Sequence, residues 1–255
     1  MRLASSIAGA GPPIVLLHGL FGRARNLGTL ARRLAGKHRV ISLDLRNHGE
    51  SGHAPAMAYD DLARDVLETL AELAARPAVL IGHSMGGKTA LMAALLQPAS
   101  VQKLVVIDIA PRPYAHHNAQ VAAALCAVPL NQPLTRRDAD ALLAPAIPND
   151  STRGFLLQNF APGDAPAWRI GLQNIADGIT DIEGWPASAK NLTYPGPTLF
   201  VAGGASDYIL PTDAPLIRAV CPQATIETIS GAGHWVHVDQ ADPLAVMLED
   251  FIDQT

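Results

Sequence analysis

A third of the way along the chain the sequence reads Ala78-Val79-Leu80-Ile81-Gly82-His83-Ser84-Met85-Gly86-Gly87-Lys88. Residues 78–81 form an apolar run of strand length, and residues 87–96 read as a helix. A serine in a G-x-S-x-G pattern between a strand and a helix marks a tight, strained turn that presents its hydroxyl. Glycines on both sides let strand and helix approach without a Cβ clash. The free N–H groups at the start of the following helix favour negative charge developing beside Ser84. The bland alternative is an ordinary glycine-rich turn, and the strand and helix on either side argue against it.

Working outward, further strand-length apolar runs recur at 14–17, 40–43, 104–107, 198–201 and 225–229. Runs apolar at every position suit parallel strands buried on both faces. Between them lie helix-like stretches at 60–75, 85–96 and 241–252, the first placing Leu62, Val66, Leu70 and Leu73 three or four residues apart. Strand alternating with helix predicts an α/β fold with a mostly parallel, doubly wound sheet. Residues 111–194 interrupt the alternation: several prolines divide them, and no strand is evident. A structureless loop of that length is out of place in a compact domain. The segment therefore reads as a helical cap inserted into a core made of 1–110 and 195–255. Its Leu, Phe and Trp residues, with few cations, suit either a small core or an apolar acyl pocket.

Composition narrows the function. The formal net charge is −4, with 16% charged and 49% hydrophobic residues. A nucleic-acid partner needs a basic face, which this balance argues against. No uncharged apolar run reaches the ~18 residues of a membrane span. Cys126 and Cys221 have no metal-ligand spacing. The glycines at 82, 86 and 87 lack the G-x-x-x-x-G-K-[ST] pattern of a phosphate loop. The expectation is a cytoplasmic protein without metal or organic cofactor.

A serine hydroxyl needs a base to take its proton. Among nine histidines, His234 in Gly233-His234-Trp235 follows the last strand directly, at the carboxyl edge of the sheet. His237 reads as a packing residue, His83 as turned away from the serine, and His116 and His117 as part of the insertion. The oxyanion of acyl transfer needs two N–H donors. Met85, following the serine, supplies one. Leu20, in the loop His18-Gly19-Leu20-Phe21-Gly22, supplies the other, with His18 shaping that loop. Asp44-Leu45-Arg46-Asn47-His48-Gly49 reads as architecture, with Arg46 available to pair a carboxylate. Two strand-end carboxylates fit the chain order serine, acid, histidine: Asp108 and Asp207. Asp207 is preferred, because its loop lies beside that of His234.

Together these residues resemble the α/β-hydrolase family across nearly the whole chain. His18 to Gly22, Asn26-Leu27-Gly28, Arg46 to Gly49, Gly82 to Lys88, Asp108-Ile109-Ala110-Pro111 and Gly233 to His237 look most like YbfF-type esterases and abhydrolase-domain relatives. The resemblance implies a carboxylesterase or thioesterase acting on a small acyl ester or thioester under a helical cap. In the YbfF-type relatives it also implies that the acid comes from the position of Asp108. The alternatives are a cofactor-free perhydrolase, or a ligand-binding protein that kept the fold.

Overall fold

A computed structural model describes residues 1–115 and 118–253. Nine strands and eleven α-helices occur among them, joined by short 3₁₀ turns. The strands β1 (Ser5–Ala8), β2 (Pro13–Leu17), β3 (Arg39–Leu43), β4 (Ala78–His83), β5 (Val101–Ile107), β8 (Thr198–Gly203) and β9 (Ala224–Ile229) form one sheet. Its order is β1-β3-β2-β4-β5-β8-β9. Every pairing is parallel except that of β1 with β3.

The period of two divides the apolar runs between two layers. Val15, Leu17, Leu80, Leu104, Val106 and Phe200 face one core, with helices α2 (Tyr59–Glu72) and α3 (Met85–Leu96). Ile14, Leu16, Val79, Ile81, Val105, Ile107 and Leu199 face the other, with α1 (Gly28–Leu34) and α11 (Ala241–Asp253). Continuous apolar runs are thus what a sheet covered on both sides requires. Leu62, Val66 and Leu70 form the buried stripe of α2. Asp60 and Asp61 sit in its first turn, where the helix dipole favours negative charge. Helix α3 is buried all round from Met85 to Leu95, which is why it shows no amphipathic stripe.

Strand β1 has no counterpart among the apolar runs. All four of its residues are exposed, so neither alternation nor hydrophobicity marks it; it is held by antiparallel pairing, Ser5 opposite Leu43.

Helices α4 (Asn118–Cys126), α5 (Arg136–Leu143), α6 (Asp150–Leu156), α7 (Leu172–Asp177) and α8 (Ile179–Glu183) lie between β5 and β8 in the chain. The segment also holds a two-residue hairpin, β6 (Phe160–Ala161) with β7 (Ala167–Trp168), too short for any periodicity to reveal. Leu143, Leu156, Leu157 and Phe160 join the core cluster of the α2/α3 side rather than forming a separate one. Both ends of the segment are held by tyrosines, the exit to the sheet itself and the entry to the loop after β8. At the entry, Tyr114 Oη accepts the Ala110 N–H at 2.6 Å and donates to the Tyr208 carbonyl at 2.6 Å. At the exit, Tyr194 Oη donates to the Val101 carbonyl at 3.0 Å and its N–H to that of Val220 at 2.9 Å. The remaining helices, α9 (Ala214–Val220) and α10 (Val236–Asp239), flank β9 in the chain. Among the described residues no helix is long and apolar enough to cross a membrane.

Candidate active site

Ser84 sits between β4 and α3 with φ 53° and ψ −121°, a left-handed conformation that a non-glycine residue adopts only under constraint. The constraint is steric. A Cβ at Gly82 would collide with the Gly86 carbonyl, and one at Gly86 with the carbonyls of Leu17 and His18. At Gly87 it would lie 2.8 Å from Ile109 Cγ2. The glycines therefore let the elbow press directly onto the end of β2. The Ser84 N–H donates to the Ile107 carbonyl at 2.9 Å, fixing the turn against β5.

His234 leaves the loop after β9. Its Nε2 accepts from Ser84 Oγ at 3.0 Å, and its Nδ1–H donates to Asp108 Oδ2 at 2.8 Å. Asp108 ends β5 with φ 51° and is fully buried. Its carboxylate accepts two further bonds, from the Gly203 N–H at 2.8 Å and from Ser206 Oγ at 2.5 Å. Three donors satisfy a carboxylate that would otherwise be costly to bury.

The structure thus corrects the preference for Asp207. The loop after β8 folds back on itself, with Ser206 N–H on the Gly203 carbonyl and Ala205 N–H on that of Ala232. This turns Ser206 inward to Asp108 and leaves Asp207 exposed. The loop does lie beside His234, as expected, but it presents its serine and its Tyr208 ring. That ring stacks on the His234 imidazole with centroids 3.7 Å apart and 16° between planes. Burial pushes the Tyr208 hydroxyl up to about 12. Sequence reasoning passed over both residues. The available signal was Ser206 itself, one position before the favoured carboxylate in a turn where neighbours face opposite ways.

The remaining histidines take supporting places. His83 is turned from the serine hydroxyl but lies against the His234 loop, its Nε2–H donating to the His234 carbonyl at 2.7 Å. His237 meets the His83 ring edge-on at 4.7 Å, and burial lowers it to about 4. His116 and His117 lie outside the described residues.

His18 and His48 link two loops reciprocally. His18 donates from Nδ1 to the Gly19 carbonyl and accepts the Leu45 N–H at Nε2, 3.0 Å. His48 donates to the Arg46 carbonyl and accepts the Phe21 N–H at 3.1 Å. Both arrangements require neutral rings, and burial lowers His18 to about 4 and His48 to about 3. Arg46 pairs with Asp65 at 2.6 Å, both buried.

A cavity of about 220 Å³ opens on Ser84 and His234. Leu20 and Met85 line it from the core, as do Val121, Phe155, Leu156 and Ile182 from the inserted helices. Such a volume falls below the range of drug-sized pockets and suits small, mostly apolar groups.

A strained serine elbow on a doubly wound sheet, hydrogen-bonded through histidine to a strand-end carboxylate, defines a class, and sequence comparison agrees with it. A family profile described as alpha/beta hydrolase fold matches residues 12–241. The chain belongs to this family and is a hydrolase of its carboxylesterase class. Among its relatives, the sn-1-specific diacylglycerol lipase ABHD11 of Mus musculus is 40% identical over 95% of this chain and 79% of its own length. Esterase YbfF of Escherichia coli is 37% identical, over 94% and 93%. A solved structure described as a marine microorganism esterase superposes with a TM-score of 0.93 at 34% identity, covering 98% of this chain and 99% of its own.

Proposed function

We propose that the chain hydrolyses small carboxylic esters or thioesters through an acyl-enzyme, with Ser84 as nucleophile, His234 as base and Asp108 as acid. The observation that carries this is the continuous chain of bonds Ser84 Oγ–His234–Asp108, at 3.0 and 2.8 Å. Ser84 Oγ attacks the carbonyl carbon as its proton passes to His234 Nε2. The N–H groups of Leu20 and Met85 hold the oxyanion, an assignment supported by their place beside Ser84 in the cavity. Collapse breaks the carbonyl–leaving-group bond, and the departing alcohol or thiol takes the proton from Nε2. Water then gives its proton to Nε2 and attacks the acyl carbon; the carboxylic acid departs and Ser84 regains its hydrogen. Asp108 holds the tautomer with the proton on Nδ1 and stabilises the imidazolium.

Residues 111–194 act as the cap over this site, and 1–110 with 195–255 as the catalytic core. The names of the relatives, diacylglycerol lipase and esterase, place acylglycerols among the esters to assay. The test is pre-steady-state release from p-nitrophenyl butyrate, with a fast burst of about one p-nitrophenolate per chain expected, lost in Ser84→Ala. Turnover without acyl-enzyme, or turnover retained in Ser84→Ala, overturns the reading. A chain that binds the ester without cleaving it is a binding protein on this fold.

A further inference from the structure

The cavity beside Ser84 is lined by apolar and neutral polar side chains, Asn26, Asn118 and Thr152 among the latter, and by one pair of opposite charges that ester hydrolysis itself does not use. Lys88 and Glu183 are the only ammonium and the only carboxylate lining it among the described residues. Lys88 stands in the first turn of α3, four residues after Ser84, and lines the same cavity. It is 1% exposed. Its ammonium donates to the carbonyls of Gly184 at 2.6 Å and Glu183 at 3.4 Å, at the end of α8. The Tyr114 and Tyr59 rings lie 4.8 and 5.4 Å away. Burial lowers the amine to about 7.

Glu183 faces the same space from the inserted helices, and Oε1 of its carboxylate is buried without a hydrogen-bond partner among the described residues. The two groups interact through space but form no ion pair. A buried acceptor left unpaired is destabilising. Near an ammonium that has three N–H donors and spends two on carbonyls, it makes a site for a group that both donates and accepts.

We propose that Lys88 and Glu183 form a polar subsite that recognises a hydroxyl group of the substrate a few bonds from the scissile carbonyl, its hydrogen donated to Glu183 Oε1 and its oxygen accepting from Lys88. This rests on the esterase reading above and adds the substrate's second functional group to it. A free carboxylate is disfavoured there by Glu183, and a free amine by Lys88. An alkyl group leaves Glu183 Oε1 unpaired, and an ether oxygen, which cannot donate, serves Lys88 alone.

The test compares matched neutral esters by pH-stat. Methyl butyrate, methyl 3-hydroxybutyrate and methyl 3-methoxybutyrate probe the acyl side. Ethyl, 2-hydroxyethyl and 2-methoxyethyl acetate probe the alcohol side. In one of the two series the wild-type protein is expected to favour the hydroxy ester over the plain one by roughly 10- to 100-fold in kcat/KM, with the methoxy ester near the plain one. In Glu183→Met the ratio falls to about 1. A ratio near 1 in both series for the wild type, equal rates for hydroxy and methoxy esters, or a preference that survives Glu183→Met overturns the subsite. Cleavage of none of the six esters overturns the esterase reading itself, so the two failures are distinguishable. The wild-type series needs no variant to fold.

Discussion

The cavity has two walls of different construction. The wall carrying Ser84 rests on closely packed backbone: glycines 82, 86 and 87 bring strand, turn and helix so close that carbonyls of β2 and the loop after it touch the helix start. The wall facing it is made of side chains from short helices, such as Phe155, Leu156 and Ile182. The backbone wall positions atoms to within a bond length and tolerates little. The side-chain wall is adjustable, because a rotamer change there moves one group without moving the chain. The proposed nucleophile sits on the first, and the proposed subsite draws Lys88 from the first and Glu183 from the second.

The comparison breaks most clearly at Asp108. Asp108→Asn is expected to lower kcat by about 10⁴-fold, through the wrong imidazole tautomer, while Asp207→Asn changes it by less than about twofold. Steady-state kinetics on p-nitrophenyl butyrate decide it, and the reverse ranking removes the carboxylate from the backbone wall.

A second expectation concerns acid. His18, His48, His83 and His237 are all depressed by burial, His18 to about 4. Below pH ~6.5 the unfolded chain binds protons that the folded chain refuses, so stability falls with pH through the window from about 6.5 to 4. His18 alone contributes a loss of about 3 kcal/mol across it. Urea midpoints at pH 7, 5.5 and 4.5 should decline steeply; a flat series would mean that the rings protonate in place.

Smaller effects separate two neighbouring glycines. Gly86→Ala drives a Cβ into backbone carbonyls, which have nowhere to go. Gly87→Ala meets chiefly side chains, Ile109 Cγ2 at 2.8 Å and Val106 Cγ1 at 3.1 Å, and only at 3.1 Å a backbone atom, the Gly82 carbonyl. Thermal denaturation should show Gly86→Ala costing more than about 3 kcal/mol and Gly87→Ala about 1. Equal costs would deny that the wall is built of backbone.

The mildest change lies on the opposite wall. Phe155 packs on Trp235 of the His234 loop, with ring centroids 5.4 Å apart. Phe155→Ala should raise KM by roughly 2- to 10-fold with little change in kcat. A collapse of kcat instead would place that ring among the groups that orient His234.

Legibility in the sequence follows the same division. The elbow shows because backbone proximity demands glycine at fixed offsets around one serine. His234 shows because it is the histidine just past the last strand. The choice between Asp108 and Asp207 does not show, because both follow strands of the sheet. It is made by the hydrogen bonds of residues 203–206, which face one side chain in and the next out. Strand β1, wholly exposed, leaves no hydrophobic trace. Glu183 reaches the cavity only through the packing of short helices whose order in space no local pattern encodes.

The tyrosines at the two ends of the insertion carry a mechanical consequence. Tyr114 holds the entry to the loop whose Tyr208 stacks on His234, and Tyr194 holds the exit to β5. A panel pinned along both edges does not swing as a flap; it bows in the middle. On the proposed reading of 111–194 as a cap, substrate and product would pass by bending of the span between these ties, and loosening either one would disturb β5, which leads to Asp108, or the loop whose Tyr208 stacks on His234.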